Sequence, residues 1–284
     1  MPAWPRSNSY SINGPGEAWA SEHFTNLVLI IEYEGTRYRG FQVQAHEPTV
    51  QQELEQAVMR LTGETVRVLC ASRTDTGVHA KGQVVSFRTE AKYPPRVFVN
   101  ALNYYLPDDI AVREAHRMSL EFHVRRDASS RVYRYSLLTR KTRSPLLRNT
   151  TYWIPRPLDI ERMREAARLL VGEHDFAAFA GVLDDPKAST RRTLYRAEMK
   201  VGCELMEFEV EGNAFLPQQI RRTVGELVEV GLDRVPVGEF ERLVECGRPH
   251  EAGPALPPQG LCLERVNYQD FPPKVERDLE RVRE

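Results

Sequence analysis

The stretch Asn26-Leu27-Val28-Leu29-Ile30-Ile31-Glu32-Tyr33 has the length and the apolar content of a buried β-strand, and the rest of the fold extends from it. A turn follows over 35–40. Thr49 then begins a helix, with Gln52 as its capping-box partner, and Gly63 ends that helix. Further strands are predicted over 66–71, 82–88 and 110–116, with a helix over 95–105 before the last of them. The resulting order, β-α-β-β-α-β, is that of a ferredoxin-like domain.

The second half of the chain repeats this order without obvious sequence identity to the first. Strands are predicted over 132–139, 192–201, 205–211 and 261–268, and helices after Asp159 and over 220–231 and 240–246. We therefore expect an α+β fold of two ferredoxin-like (βαββαβ) halves, with one merged, mostly antiparallel sheet and an active-site cleft between them. The predicted organisation is a flexible tail over 1–24, domains over 25–118 and 119–270, and a charged tail over 271–284.

Composition narrows the class of protein. The 284-residue chain has a formal net charge of −1, and 41% of its residues are hydrophobic. It lacks the run of about 20 apolar residues that a membrane-spanning helix needs, and residues 1–24 lack the apolar core of a signal peptide. The four cysteines form no C-x-x-C pair, so neither a zinc site nor a redox motif is expected. These features predict a cytoplasmic protein with reduced thiols and no membrane association.

The charge is unevenly distributed along the chain. Between Arg113 and Arg148 there are ten Lys or Arg residues and three Asp or Glu residues, a local balance of +7. Such runs are usually solvated surface, but this sign bias also suits contact with phosphate groups. We expect this basic stretch to contact the backbone of a nucleic acid. Its basic residues are Arg113, Arg117, Arg125, Arg126, Arg131, Arg134, Arg140, Lys141, Arg143 and Arg148.

The polar loop Ser72-Arg73-Thr74-Asp75-Thr76-Gly77-Val78-His79-Ala80 lies between two predicted strands and holds the best candidates for chemistry. Asp75 could act as an ionised carboxylate that serves as a nucleophile or a base, or it could form a local Asx turn. Arg73 could pair with Asp75 or be a surface charge. His79 precedes an apolar strand, which favours a packed, hydrogen-bonded side chain over a catalytic one.

The triplet Asp75-Thr76-Gly77 also occurs at the catalytic centre of aspartic proteases. Those enzymes need two such carboxylates that share a proton, and this chain has one copy. Arg73, two positions away, would favour full ionisation of Asp75, which is the wrong state for a shared proton. The sequence therefore disfavours a protease.

At this loop the sequence resembles the tRNA pseudouridine synthase A (TruA) family, whose signature is Gly-Arg-Thr-Asp-Ala-Gly-Val-His-Ala. Further segments resemble the family in order over roughly 27–268. They are Ile31-Glu32-Tyr33-Glu34-Gly35-Thr36-Arg37-Tyr38-Arg39-Gly40-Phe41-Gln42, Thr49-Val50-Gln51-Gln52-Glu53-Leu54-Glu55, Gly82-Gln83-Val84-Val85-Ser86-Phe87, Asn100-Ala101-Leu102-Asn103, Phe122-His123-Val124-Arg125, Arg131-Val132-Tyr133-Arg134-Tyr135, Leu170-Val171-Gly172-Glu173-His174-Asp175-Phe176, Arg192-Thr193-Leu194, Asn213-Ala214-Phe215-Leu216, Ile220-Arg221-Arg222, Val224-Gly225 and Gly260-Leu261-Cys262-Leu263.

The sequence departs from the family pattern at a few positions. Ser72 and Thr76 replace two small residues of the signature, and Glu34 stands where Asp is usual. Pro217-Gln218-Gln219 replaces a frequent basic or His-containing run before Ile220. None of these changes removes a group that the family's reaction on uridine needs. The change at Pro217-Gln218-Gln219 bears on the RNA contacts expected near the helix over 220–231.

The resemblance implies an activity and a set of roles. Asp75 would be the catalytic carboxylate, Arg73 and Arg221 would support it, and Tyr133 would stack on the uracil. The alternative for Tyr133 is a strand residue in the core, a role for which Tyr135 is also a candidate, and the alternative for Arg221 is a charge on the helix surface. The reaction would isomerise uridine to pseudouridine at positions 38–40 of the tRNA anticodon arm, with no metal and no cofactor. The resemblance also implies a homodimer that binds tRNA.

A rival interpretation from another class is a non-catalytic RNA-binding module, because ferredoxin-like sheets commonly bind single strands on their aromatic residues. That interpretation gives Asp75 no special role.

Overall fold

The computed structural model describes residues 24–183, 185 and 187–272. Apart from Phe24, Phe271 and Pro272, the two predicted tails lie outside these residues. The described part contains ten strands: β1 (Thr25–Tyr33), β2 (Leu69–Cys70), β3 (His79–Thr89), β4 (Ile110–Met118), β5 (Ala128–Leu138), β6 (Tyr152–Trp153), β7 (Gly172–Asp175), β8 (Arg191–Val201), β9 (Leu205–Gly212) and β10 (Leu261–Tyr268). It also contains five α-helices: α1 (Val50–Thr62), α2 (Pro95–Tyr105), α3 (Ile160–Arg168), α4 (Gln219–Gly231) and α5 (Val237–Cys246).

Local signals place the helix ends where the sequence predicts them. The Thr49 side chain accepts a hydrogen bond from the backbone N–H of Gln52, and Gly63 closes α1 in the left-handed conformation at φ 76°. Asp159 caps α3 in the same way, through the N–H of Arg162. Pro95 occupies the first turn of α2, where its missing N–H costs no helical hydrogen bond.

One sheet runs through the molecule in the order β4-β1-β3-β10-β5-β9-β8-β7, with β2 paired to β3 and β6 to β5. In each half the fourth strand of the βαββαβ unit lies beside the first, and the second lies beside the third. Most pairs are antiparallel; β10–β3 and β5–β6 are the parallel pairs among the described strands. The predicted α+β fold of two merged ferredoxin-like halves is therefore confirmed.

The junction between the halves is short and determines where a cleft forms. One edge of β3 pairs with β1. The other edge is shared: β10 pairs only with His79 and Ala80, and β2 pairs further along with Val85 and Ser86. The loop that returns from β2 to β3 therefore lies where the two halves of the sheet diverge.

Some strands differ from the prediction. The strand predicted over 66–71 is only Leu69–Cys70 in the structure, where it pairs with Ser86 and Val85 of β3. The edge strand β7, Gly172–Asp175, was not predicted, since Gly-Glu-His-Asp has neither alternation nor β-branched residues.

The helices cover one face of the sheet. In β9, Met206, Phe208 and Val210 are buried while the alternating glutamates are half-buried, so one face of this strand packs against the core. The main core joins both halves and includes buried aromatic side chains from each, such as Phe98 and Phe240. No helix in the described part of the chain is long and apolar enough to cross a membrane.

Candidate active site

A cleft of about 640 Å³ lies where the two halves of the sheet diverge. All four residues that the sequence analysis singled out line it: Arg73, Asp75, Tyr133 and Arg221. Asp75 and Arg221 are 146 positions apart in the chain and come from different halves. The fold therefore assembles the candidate site from both halves.

The loop that carries Asp75 is fixed by its neighbours. The buried Thr74 hydroxyl shares a 2.8 Å hydrogen bond with the Tyr33 hydroxyl, and the Thr74 carbonyl accepts one from the N–H of Phe41 at 3.1 Å. Gly40 has a φ of 91°, and a Cβ there would lie 2.7 Å from the Thr74 carbonyl oxygen. Only glycine allows this approach. The residue before Asp75 is therefore held on two sides.

Asp75 itself begins a tight turn. Its backbone carbonyl accepts a hydrogen bond from the N–H of Val78 at 3.1 Å, and Gly77 has the positive φ of 76° that a type II turn needs at its third residue. The turn is thus closed by the main chain of Asp75. Its side chain is used elsewhere: Arg221 Nη1 donates to Asp75 Oδ2 at 3.3 Å. This geometry favours a directed carboxylate over the Asx turn.

Arg221 is well held. Its Nε donates to the Leu256 carbonyl at 2.7 Å, and its backbone carbonyl accepts from the N–H of Leu256 at 3.1 Å. The Arg221 side chain is 14% exposed, whereas the Asp75 side chain is 33% exposed. The arginine therefore approaches the carboxylate from the protein side and leaves part of Asp75 open to the cleft.

Tyr133 lies at the floor of the cleft and is only 4% exposed. Its hydroxyl shares a 2.8 Å hydrogen bond with the Ser72 hydroxyl, and burial raises its pKa well above the usual range. The half-buried Phe215 packs edge to face against it, with ring centroids 5.3 Å apart. Tyr135 is fully buried and donates to the Pro257 carbonyl, which fits a structural residue. Phe215 is an aromatic lining residue that the sequence analysis did not single out.

His79 has the structural role that the sequence favours. It is 7% exposed, and its Nδ1 accepts a hydrogen bond from the N–H of Gly35 at 2.9 Å. Its Nε2 faces the carbonyls of Asn149 and Gln259 at 2.7 and 3.2 Å, so Nε2 carries the proton and donates. His79 thus connects the first strand–turn segment to two segments of the second half.

Arg73 is exposed and lines the same cleft, on the loop of Asp75. The hydrogen bond to the Asp75 carboxylate that the structure describes comes from Arg221. The pairing of Arg73 with Asp75 stays a prediction.

The basic stretch between Arg113 and Arg148 does not form one surface. Of its ten basic residues, Arg125 and Arg131 line the cleft. Four others pair with acids elsewhere: Arg113 with Glu32, Arg126 with Asp127, Arg134 with Glu207 and Glu264, and Arg140 with Glu204. The cleft is also lined by two basic residues that the sequence analysis did not single out, Arg39 and Arg192 of β8. Their only sequence signal was their place in two of the segments that resemble the family.

The polar groups of the cleft do not resemble a metal centre. Among the residues that the structure describes, no group of three or more His, Cys, Asp or Glu side chains is arranged to hold a metal ion. The cleft offers instead one oriented carboxylate, an aromatic pair and several arginines.

Known proteins are similar to this chain over most of its length. A family model described as tRNA pseudouridine synthase matches residues 29–127 and 166–269. A protein of Citrifermentans bemidjiense named tRNA pseudouridine synthase A is 44% identical over 246 residues, which cover 86% of this chain and 98% of the relative. Proteins of the same name from Myxococcus xanthus (43% over 247 residues; 87% and 93% covered) and Neisseria meningitidis serogroup B (42% over 243 residues; 85% and 91% covered) are similar over the same extent. The chain therefore belongs to the tRNA pseudouridine synthase family, whose members are isomerases that act on tRNA.

Proposed function

We propose that this protein isomerises uridines at positions 38–40 of the tRNA anticodon stem-loop to pseudouridine, with Asp75 as the catalytic carboxylate. The observation that carries the proposal is the Asp75 side chain, one-third exposed in the cleft between the halves and held by Arg221 at 3.3 Å. The choice of these uridines rests on the resemblance to the family.

The chemistry needs few protein groups. The bond between uracil N1 and ribose C1′ breaks, the base turns, and a bond forms between C5 and C1′; the hydrogen leaves C5 and N1 gains one, so no atom is added or lost. Asp75 either attacks C1′ or removes a proton from C2′, and both steps need a deprotonated carboxylate beside the sugar. Arg221 orients that carboxylate through the hydrogen bond to Oδ2. Neither step calls on a metal or a redox cofactor.

The base must leave the RNA stack before the sugar can reach Asp75. In this proposal Arg73, on the same loop, occupies the space that the base leaves, and the uracil stacks on Tyr133. Because Tyr133 is 4% exposed and Phe215 packs against its ring, Phe215 moves aside as the base enters. Phosphate contacts then hold the tRNA without reading its sequence.

Incubation with unmodified tRNA, followed by mapping of pseudouridine by mass spectrometry, tests this proposal. The wild type should modify positions 38–40, and Asp75→Ala and Asp75→Asn should give no product. Asp185→Asn is the matched control, because Asp185 lines the same cleft and the hydrogen bond described for its side chain stays within its own turn, from the N–H of Lys187. This variant should keep most of the activity.

Three outcomes contradict parts of the proposal. Equal product from the wild type and Asp75→Asn removes the catalytic role of Asp75. Product at other uridines removes the assignment to positions 38–40. Tight tRNA binding without any product identifies an RNA-binding module instead.

A homodimer belongs to the same proposal, on the ground of the family resemblance. Sedimentation at micromolar protein concentration should show a dimer with and without tRNA. A monomer under both conditions would reject this part.

A further inference from the structure

Six arginines line the described cleft. Three of them belong to the region of β5 and β8: Arg125 before β5, Arg131 within β5, and Arg192 in β8. Burial lowers the pKa of Arg131 and of Arg192, and the charge of Arg125 lowers both further. The positive charges therefore lie close enough to repel one another. Such a cluster is unfavourable unless an anion joins it.

The described part of the chain supplies no carboxylate that pairs with these three charges. Among the residues that the structure describes, no carboxylate lies within 4.0 Å of the guanidinium nitrogens of these three arginines. The cluster is also not a surface patch, since Arg131 is 6% exposed and Arg192 is half-buried. The cluster thus differs from a solvated basic surface.

Arg131 is fully engaged with the main chain. Its Nη1 donates to the carbonyls of Asn213 and Ala128 at 2.7 and 3.2 Å, and its Nη2 donates to those of Arg125 and Ala71 at 2.6 and 3.2 Å. It therefore fixes the backbone of Arg125 relative to the segment before the Asp75 loop. Among the described residues its charge has no counterion, because all four acceptors are neutral carbonyls.

Arg125 and Arg192 keep unused donors. Arg192 Nη1 donates to the carbonyls of Ser189 and Arg191, which orients the guanidinium, while its Nε is buried without a hydrogen-bond partner. The side chain of Arg125 is exposed at the cleft and makes none of the described hydrogen bonds. Burying a hydrogen-bond donor such as Arg192 Nε without an acceptor costs free energy, so binding of a ligand that accepts from it is favourable.

We propose that Arg125 and Arg192, with Arg131 behind them, bind one backbone phosphate of the RNA beside the nucleotide whose base enters the cleft. The proposal rests on the proposed function in taking RNA as the occupant. Planar guanidinium groups match the oxygens of a phosphodiester and can bind it through two parallel hydrogen bonds. Because the cluster and Asp75 line the same cleft, the phosphate belongs to a linkage close to the reacting sugar.

The chain provides matched controls next to both residues. Arg126 follows Arg125 but pairs with Asp127 at 2.8 Å, and Arg191 precedes Arg192 but pairs with Glu173 at 2.9 Å. Loss of one of these paired charges alters the net charge as much as loss of Arg125 or Arg192. A specific phosphate contact should therefore separate the cleft residues from their neighbours.

The experiment maps single phosphates in the full-length protein carrying Asp75→Asn, which blocks turnover. A series of anticodon stem-loop RNAs is prepared, each with one uncharged methylphosphonate linkage, and the dissociation constant of each is measured. In the parent protein, one linkage beside the target uridine should weaken binding about tenfold or more, as expected for loss of a charge-assisted hydrogen bond. When Arg125→Gln or Arg192→Gln is added to the parent protein, binding of the unmodified RNA should weaken about as much as the methylphosphonate weakens it. The linkage itself should then have no further effect. Arg126→Gln and Arg191→Gln should preserve the effect of that linkage.

The proposal would be overturned if the sensitive linkage weakened binding as much in Arg125→Gln and Arg192→Gln as it does in the parent protein. Equal losses from Arg126→Gln and Arg191→Gln would also overturn it, because they would indicate general charge attraction. Arg125→Lys and Arg192→Lys serve if a Gln variant does not fold. They retain the charge but lose the paired hydrogen bonds, so the effect of the linkage should be smaller than in the parent protein but not abolished. The outcome is independent of catalysis, because pseudouridine formation by Asp75→Ala would reject the proposed function and leave the phosphate map intact.

Discussion

Replacement of Arg221 by glutamine tests the pairing on which the candidate site depends. In the structure, Arg221 Nη1 donates to Asp75 Oδ2 at 3.3 Å and Nε donates to the Leu256 carbonyl at 2.7 Å. The shorter glutamine cannot make both hydrogen bonds and has no charge. We expect the carboxylate to lose its fixed orientation.

The size of the effect follows from the geometry. A hydrogen bond to a charged group contributes about 1.5–3 kcal/mol. At 3.3 Å the contact is long for an N–H···O bond, and the Asp75 side chain is 33% exposed, so the lower part of this range applies, about 1.5–2 kcal/mol. Since about 1.4 kcal/mol corresponds to a factor of ten, pseudouridine formation should slow by about 10- to 30-fold.

Single-turnover measurement with excess enzyme on an anticodon stem-loop isolates the chemical step from RNA binding. Arg222→Gln is the matched control. Arg222 Nη1 donates to the carbonyls of Ala252 and Gly253, so its loss affects the same segment without touching Asp75. This variant should lose about 1 kcal/mol of unfolding free energy and keep its rate within about threefold. An Arg221→Gln rate equal to wild type, or an equal fall in Arg222→Gln, would refute the reasoning.

Three further predictions concern the surroundings of the site. Gly40→Ala should destabilise the protein by more than about 2 kcal/mol and reduce activity, because its Cβ would lie 2.7 Å from the Thr74 carbonyl. Gly63→Ala, also at positive φ but with nothing within 4 Å, should cost about 1–2 kcal/mol. Urea unfolding compares the two variants. Tyr133→Phe removes the hydrogen bond to Ser72 but keeps the ring, so the unfolding free energy should fall by about 0.5–1.5 kcal/mol and the single-turnover rate by less than about tenfold; a complete loss of activity would show that the hydroxyl itself takes part. Burial raises the pKa of the Cys70 thiol to about 12, so iodoacetamide at pH 8 should label the exposed Cys203 and spare Cys70. Labelling of Cys70 should increase only as the pH approaches that value. Peptide mass spectrometry measures both sites, and labelling of Cys70 at pH 8 would contradict the prediction.

The sequence by itself determined the order of the elements and several of their ends. Thr49, Gly63 and Asp159 act on backbone groups within four residues of themselves, so their caps could be identified from the chain alone. The same holds for β1, whose apolar run is continuous. The motif around Asp75 likewise pointed to one carboxylate, because that resemblance is carried by adjacent residues.

The tertiary structure alone decided how these pieces meet. It brought Arg221 to Asp75 across 146 positions, gave His79 its hydrogen bonds to both halves, and limited the β3–β10 junction to two residue pairs. It also separated Arg125 in the cleft from Arg126 in an ion pair, although the two are neighbours in sequence. The physical reason is that capping and periodicity depend on groups a few residues apart, whereas the environment of a charge depends on which distant strands and loops pack around it.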